Sequence, residues 1–290
     1  ADLGAEVVKI EDTGVGDYAR TMGAGAGPGT DSLFFRMVNR NKKSLRLDLK
    51  QAAGVDTFLR LARDADVIVE SFRPGVVEKL GIGYGTVSAL NPRIVYCAIT
   101  GYGQSGPRAS EAGHDLNFQA DTGLLAVGAD ASGAPAMPNL LAADIGGGSY
   151  PAVINILLAL RQRDRTGVGG FLDIAMAENL FPFLFWGLAS GATGHWPVPG
   201  REIFTGGSPR YRLYATSDGR HVACAALEDK FWLAFCEVVG MPAALRDDAR
   251  DPAATMREAA RLVAAKPASH WAAALAKADC CVNVVRSLQE

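Results

Sequence analysis

The chain has almost no charge of one sign to spare. Its 29 Lys and Arg against 31 Asp and Glu leave a net charge of −2. Composition therefore gives no reason to expect the strongly basic face that nucleic-acid binding needs. No segment approaches ~18 uninterrupted apolar residues, so no membrane span is expected. The aromatic cluster Phe181, Phe183, Phe185 and Trp186 is short enough to be a buried helix. No signal peptide is expected, and the chain opens on Ala1-Asp2-Leu3-Gly4-Ala5 as though mid-element, which reads as a fragmentary N-terminus. Cysteine is scarce: Cys97, Cys224, Cys236, Cys280 and Cys281 form neither a CxxC pair nor a regular framework. An odd count with two neighbours reads as reduced thiols in a cytoplasmic protein, serving as small apolar side chains. His195, His221 and His270 are scattered and make no metal-ligand set with those cysteines. Gly23 to Gly29 shows no GxGxxG register after a strand, so no dinucleotide site is implied.

What is present is enough for a large core. Hydrophobic residues make up 49% of 290 positions, ordinary for a globular protein and too many for disorder. The first half alternates element types. Glu6 to Ile10, Lys43 to Leu49, Asp66 to Glu70 and Ile94 to Ile99 read as strands. Helical spacing separates them at Ala52 to Ala62 and from Pro74 to Leu80. Such alternation predicts βαβ units and an α/β fold with a mainly parallel sheet. Ligands bind outside the carboxyl ends of such strands, where Ser71-Phe72-Arg73 and Gly101-Tyr102-Gly103 fall. Asp144 to Arg161 reads as one long helix, apolar enough to be buried (Val153, Ile154, Ile156, Leu157, Leu158), and Phe171 to Ala175 as the next strand. Gly191 to Ser208 carries glycine and proline without periodicity. We therefore place a large domain at 1–190, a linker at 191–206 and a small α+β domain at 207–290. The small domain opens on a hairpin, Tyr211 to Thr216 and His221 to Leu227 around Ser217-Asp218-Gly219-Arg220.

Three residues stand at element boundaries in distinctive surroundings. His114 lies in Gly113-His114-Asp115-Leu116-Asn117, Asp144 opens Asp144-Ile145-Gly146-Gly147-Gly148, and Glu228 closes the second hairpin strand. An imidazole and two carboxylates can move a proton on and off carbon. Taken alone, His114 could be a structural histidine, Asp144 a plain N-cap and Glu228 a first-turn helix acid. As an N-cap, Asp144 would be kept ionised by the positive helix end, and the glycines after it would let amides approach an oxyanion. Asp115 reads as an orienting partner or helix cap rather than a base.

These stretches together resemble the class III CoA-transferase family (the CaiB/BaiF type), closest in motif to its α-methylacyl-CoA racemase branch. The likeness also rests on Ala1-Asp2-Leu3-Gly4-Ala5-Glu6-Val7-Val8-Lys9-Ile10-Glu11, Asn39-Arg40-Asn41-Lys42-Lys43-Ser44, Glu70-Ser71-Phe72-Arg73-Pro74-Gly75-Val76 and Thr100-Gly101-Tyr102-Gly103-Gln104. The resemblance implies a Rossmann-like CoA-binding large domain, a small domain, and two chains interlocked as rings in a homodimer. Relative to the family pattern, the first strand and the return of the chain after Cys280-Cys281 are absent. It implies no cofactor beyond CoA itself, carried by an acyl-CoA substrate. By the same resemblance Leu47, Asp48, Leu49, Lys50, Ser71, Phe72, Arg73 and Lys79, with Gly113, Asp115, Asn117, Phe118, Gly146 and Gly147, would bind the CoA substrate. Racemases pair the His and Asp as bases and add the glutamate, here with 30 residues from His114 to Asp144 and 84 more to Glu228. That spacing favours a 2-methylacyl-CoA racemase working by 1,1-proton transfer, with Glu228 supplied from the partner chain. The alternative is a CoA transferase in which Asp144 forms an acyl-anhydride and then a thioester. Arg210, where racemases tend to carry an aromatic, speaks for that alternative. A CoA-binding scaffold without activity is the third reading.

Overall fold

The computed structural model describes residues 1–27, 29–129 and 133–290, so Pro28 of the glycine-rich loop lies outside the described residues. In chain order the elements are β1 (Val8–Glu11), α1 (Leu33–Val38), β2 (Lys43–Arg46), α2 (Ala52–Asp64), β3 (Val67–Glu70), α3 (Val76–Lys79), α4 (Tyr84–Leu90) and β4 (Val95–Thr100). There follow α5 (Asp115–Asp121), a π-helical segment Ala142–Ser149 running into α6 (Tyr150–Thr166), β5 (Gly170–Ala175) and α7 (Phe185–Ala192). The chain ends with β6 (Tyr211–Ala215), β7 (His221–Ala225), α8 (Asp229–Val239), α9 (Pro252–Ala264), α10 (Ala268–Leu275) and β8 (Val282–Val284). Every expected strand forms, displaced by three residues or fewer at its ends. The helices α1 and α4 and the strand β8 are additions that short, weakly periodic stretches did not announce.

Two compact units result. One comprises Ala1–Phe118 and Leu141–Asn179, the other Gln119–Leu140 and Leu180–Glu290. Grouping by packing therefore differs from the linear division at 191–206: the aromatic segment from Leu180 and the excursion 119–140 both belong to the second unit.

In the first unit β1 pairs with β2 and, separately, β3, β4 and β5 form a sheet in that order, all parallel. The fold is α/β. β4 is central and covered on both faces, which explains its unbroken apolar run. Tyr96 and Ile94 pack with Ala62 and Val87 beneath α2 and α4. Cys97, with Ile174 and Ile99, packs against Ala152 and Ile156 of α6. In the second unit β6, β7 and β8 are antiparallel, and their inner face holds Tyr214, Val222 and Cys224 against Trp232 and Phe235 of α8 and Trp271 of α10.

The long helix departs from expectation. Its sheet-facing side is covered, but Val153, Ile154, Leu157 and Leu158 are each more than half exposed in the single chain. An apolar helix is not necessarily a buried one: α6 has only one sheet to lie on. The run Ala142–Thr166 is also long and apolar enough, by length and composition alone, to cross a membrane.

Cys97, Cys224, Cys236 and Cys280 are buried and Cys281 is exposed, all as free thiols. Burial pushes Cys97 and Cys236 up to about 11 and Cys224 up to about 12. Because the thiolate is the reactive form, native protein titrated with Ellman's reagent at pH 8 should show one fast thiol, lost in Cys281→Ser. The other four should react only in denaturant. Two or more fast thiols in the native state would contradict this packing.

Candidate active site

The first turn of α5 begins where Gly113 and Gly101 leave room for an aromatic ring. A Cβ on either glycine would stand 2.6 or 2.5 Å from the Phe118 ring, so both positions must lack a side chain for that ring to seat. Phe118 is almost fully buried and meets Tyr102 edge-on at 5.2 Å. Asn117 reaches back so that its Oδ1 accepts the His114 amide at 3.0 Å, while the His114 carbonyl accepts the Asn117 amide at 2.8 Å. This reciprocal cap fixes the backbone of His114 and leaves its imidazole on the exposed side.

Asp115 is the hub. Its carboxylate is buried, and its Oδ2 accepts the amides of Ala143 at 2.8 Å and Asp144 at 2.9 Å. Two of the orphan donors at the start of the π-helical segment are thereby satisfied by a residue 28 positions earlier. Asp144 is thus not the N-cap of its helix; it is the third residue of the Ala142–Ser149 segment. The capping carboxylate belongs to Asp115, peptide-bonded to His114. One side chain therefore ties the two candidate bases together.

The electrostatic consequence runs opposite to that expected of an N-cap. Loss of hydration raises the Asp144 carboxyl above its ordinary value, the neighbouring Asp115 charge adds to the rise, and the His114 imidazole offsets part of it. Asp144 nevertheless faces solvent in the single chain. A carboxyl so placed can exist as acid or base nearer neutrality than a free one.

The glycines after Asp144 serve packing. Gly147 and Gly148 are buried within helical turns, and a Cβ on Gly147 would stand 2.4 Å from the Met176 carbonyl. The Asn179 amide side chain donates to the Gly147 carbonyl at 2.9 Å. They let the π-helical segment lie directly on the end of β5, rather than presenting a loop of free amides.

The residues expected to hold CoA occupy the carboxyl ends of strands, as anticipated for such a sheet. Ser71, Phe72 and Arg73 follow β3 and are exposed, with the Glu70 carboxylate accepting the Phe72 amide at 2.7 Å. Burial raises that Glu70 carboxyl. Lys79, exposed at the end of α3, lies nearby in sequence. After β2, Asp48 is spent on its own turn: its carboxylate accepts the Lys50 amide at 2.9 Å and its carbonyl accepts that of Gln51 at 3.1 Å. Gly54 touches the Asp48 carbonyl so closely that a Cβ would lie 2.0 Å away. Leu47 and Leu49 are half-buried around that turn, and Lys50 is exposed.

Sequence reasoning passed over Asp173, whose Oδ2 accepts the Gln104 amide at 2.9 Å and pins the loop after β4. A lone acid inside the apolar strand Phe171-Leu172-Asp173-Ile174 was the available signal. Glu228 belongs to the second unit, where it starts α8 with an extended backbone and no side-chain capping bond. Among the described residues no cluster of His, Cys, Asp or Glu is arranged to hold a metal ion. Two surface depressions lie on α6 around Arg161 and Arg165 and between α2 and α4 around Arg60 and Leu90.

The geometry defines an α/β protein in which the buried Asp115 carboxylate ties the start of the Asp144 segment to the residue after His114. The model of CoA-transferase family III matches residues 1–290, and the chain belongs to that family of enzymes. It is 33% identical over its whole length to α-methylacyl-CoA racemase of Mus musculus, of which it covers 73%. It is 35% identical over 83% of its length to succinyl-CoA:glutarate CoA-transferase of Homo sapiens, of which it spans 54%, about half. It is 32% identical over its whole length to acetyl-CoA:oxalate CoA-transferase of Acetobacter aceti, covering 76% of it. Among solved structures, a CAIB/BAIF family protein from Brucella suis superposes with a TM-score of 0.85 at 27% identity, over 99% of this chain and 78% of that one.

Asp144→Asn tests the raised carboxyl. A carboxyl whose folded value is raised contributes stability that is full below the unfolded value of ~3.9 and is lost as pH rises through the folded value. At pH 7 the ionised Asp144 is thus a liability, and Asp144→Asn should melt higher than wild type. The gap should close towards pH 4. A variant that melts lower at pH 7, or whose gain ignores pH, would contradict this environment.

Proposed function

We propose that the protein is a 2-methylacyl-CoA racemase working by 1,1-proton transfer through an enolate. The observation that supports this most is the Asp115 bridge, which ties Asp144, a carboxyl of raised proton affinity, to the residue next to His114. Thioester α-protons are weakly acidic, so inversion needs a base on one face and an acid on the other. In one direction neutral His114 takes the C2 proton and the electron pair moves into the thioester as an enolate. Protonated Asp144 then gives its proton to the opposite face. The reverse reaction exchanges the roles. Each positioned acid or base is worth ~10²–10⁴-fold. Glu228, from the small domain of a second copy, orients or charge-stabilises His114. Exposed Arg73, Lys79 and Lys50 meet the CoA phosphates, and CoA is the only cofactor, as part of the substrate. The setting is cytoplasmic, without membrane or nucleic-acid partner.

CoA transfer is the second reading, favoured by relatives of equal identity that bear transferase names. There the ionised Asp144 would attack the thioester carbonyl carbon as a nucleophile and expel CoA thiolate, leaving an acyl anhydride.

Deuterated water separates the two. With (2R)- or (2S)-2-methylacyl-CoA alone, a racemase washes deuterium into C2 and yields both epimers. His114→Ala and Asp144→Ala should each slow this by about 10²-fold or more. Silence of His114→Ala, with hydroxylamine-trappable acyl-Asp144 formed in an acceptor-dependent reaction, would replace the racemase with the transferase.

The homodimer has its own support and test. The outward face of α6 (Val153, Ile154, Leu157, Leu158) is contiguous, apolar and exposed, the mark of a surface that another chain covers. Sedimentation equilibrium should return twice the chain mass of 30.5 kDa, and Leu157→Glu with Leu158→Glu should shift it towards the monomer. A wild-type monomer at micromolar concentration would remove the dimer.

A further inference from the structure

The Glu228 turn is held from outside by an arginine that the racemase reading above leaves unexplained. Arg210 immediately precedes β6, and β6 pairs with β7 so that Tyr211 stands opposite Ala225, three residues before Glu228. From there the Arg210 guanidinium reaches the residues on both sides of Glu228. Its Nη1 donates to the Leu227 carbonyl at 2.9 Å and to the Asp229 carboxylate at 2.6 Å.

The rest of the guanidinium is anchored inward. Nε donates to both Asp248 carboxylate oxygens at 3.0 Å, and Nη2 donates to one of them at 2.7 Å. Its plane lies near the Trp232 ring, 5.7 Å from the centroid, and that indole is itself buried and donates to the Arg246 carbonyl at 2.7 Å. The guanidinium therefore has a buried half fixed by Asp248 and an outer half that grips the turn. A planar fork can do both at once; a lysine ammonium cannot.

The turn shows what this leaves over. Asp229, the first-turn acid of α8, is taken up by Arg210, and the Glu228 carbonyl accepts the amides of Phe231 and Trp232 at 3.0 Å. The Glu228 side chain makes no capping bond and stands exposed. Its backbone is pinned before and after, and its carboxylate is spared local duty.

We propose that Arg210 is a positioning residue that clamps Leu227 and Asp229 about Glu228 and so fixes the direction of the Glu228 carboxylate. The proposal rests on the reading of Glu228 as support for the proton-transfer pair. It also gives Arg210 a role inside racemase chemistry instead of marking a departure from it.

The test measures deuterium wash-in from a 2-methylacyl-CoA, with kcat and KM separated, for Arg210→Lys, Arg210→Met, Glu228→Gln and the Arg210→Lys/Glu228→Gln pair. Melting temperature and circular dichroism accompany each. Arg210→Lys keeps a cation for Asp248 but loses the grip on the turn. It should lower kcat by about tenfold with KM little changed, since small misplacements of a catalytic group cost rate rather than binding. In the Glu228→Gln background it should cost nothing further, because the two act as one unit. Arg210→Met should lower kcat more. A folded Arg210→Lys enzyme with full kcat, while Glu228→Gln is impaired, would overturn the proposal alone. So would losses that multiply in the double variant, which would make Arg210 a scaffold residue independent of Glu228. Full exchange by Glu228→Gln would remove the Glu228 reading and this proposal with it. Should the Arg210 variants unfold, Asp229→Asn releases the outer grip alone and should show the same kcat loss at smaller size; full kcat there would count against the clamp.

Discussion

Two amides and one buried carboxylate hold the site together. Asp115 accepts from Ala143 and Asp144 at 2.8 and 2.9 Å. Hydrogen bonds to an ionised acceptor are roughly twice as strong as neutral ones. Left without partners, a buried carboxylate and two helix-start amides would each exact a desolvation penalty of ~1–3 kcal/mol or more. The bond set therefore pins the start of the long helix to the start of α5, and with it the carboxyl of Asp144 to the neighbourhood of His114. Loss of hydration raises the Asp144 carboxyl, and the charge that secures the geometry adds to the rise.

The π-helical segment follows from the same constraint. Asp144 must hang from Asp115 at one end, while Gly147 and Gly148 must lie against Met176 at the end of β5. A π turn accommodates an extra residue where a regular turn would not, and such turns recur at functional sites. Three consecutive glycines cost helix stability through their backbone entropy. They are tolerable here because the segment is held by capping and by sheet contact rather than by its own propensity. Farther along, α6 keeps an apolar outer face that the isolated chain leaves in water.

The second unit repeats the strategy with a cation. Arg210 is paired inward with Asp248 and outward with the turn around Glu228, so a surface-facing carboxylate is carried on a rigid hairpin and helix junction. In both units the group that would do chemistry is not the one that makes the structural bonds. Asp115 and Asp229 spend their charge on the fold, and Asp144 and Glu228 keep theirs.

The sequence by itself determined the strands and the class. Patterns such as Val95-Tyr96-Cys97-Ala98-Ile99 report burial on two faces, and alternation with helical spacing leaves little besides a parallel α/β sheet. The Gly-His-Asp motif, Asp144 and Glu228 could be singled out as candidates because their residue types and neighbours are local facts. What stayed hidden depends on contacts between distant segments. No local pattern says that Asp115 caps a helix 28 residues later, that Gly113 is empty to admit Phe118, or that Arg210 grips both neighbours of Glu228. Nor could periodicity tell a helix buried on both sides from α6, which is buried on one, since an apolar side chain looks the same whichever partner it awaits. Only the tertiary structure decided those points, because hydrogen bonds and close approaches are made in space between residues that sequence order keeps apart.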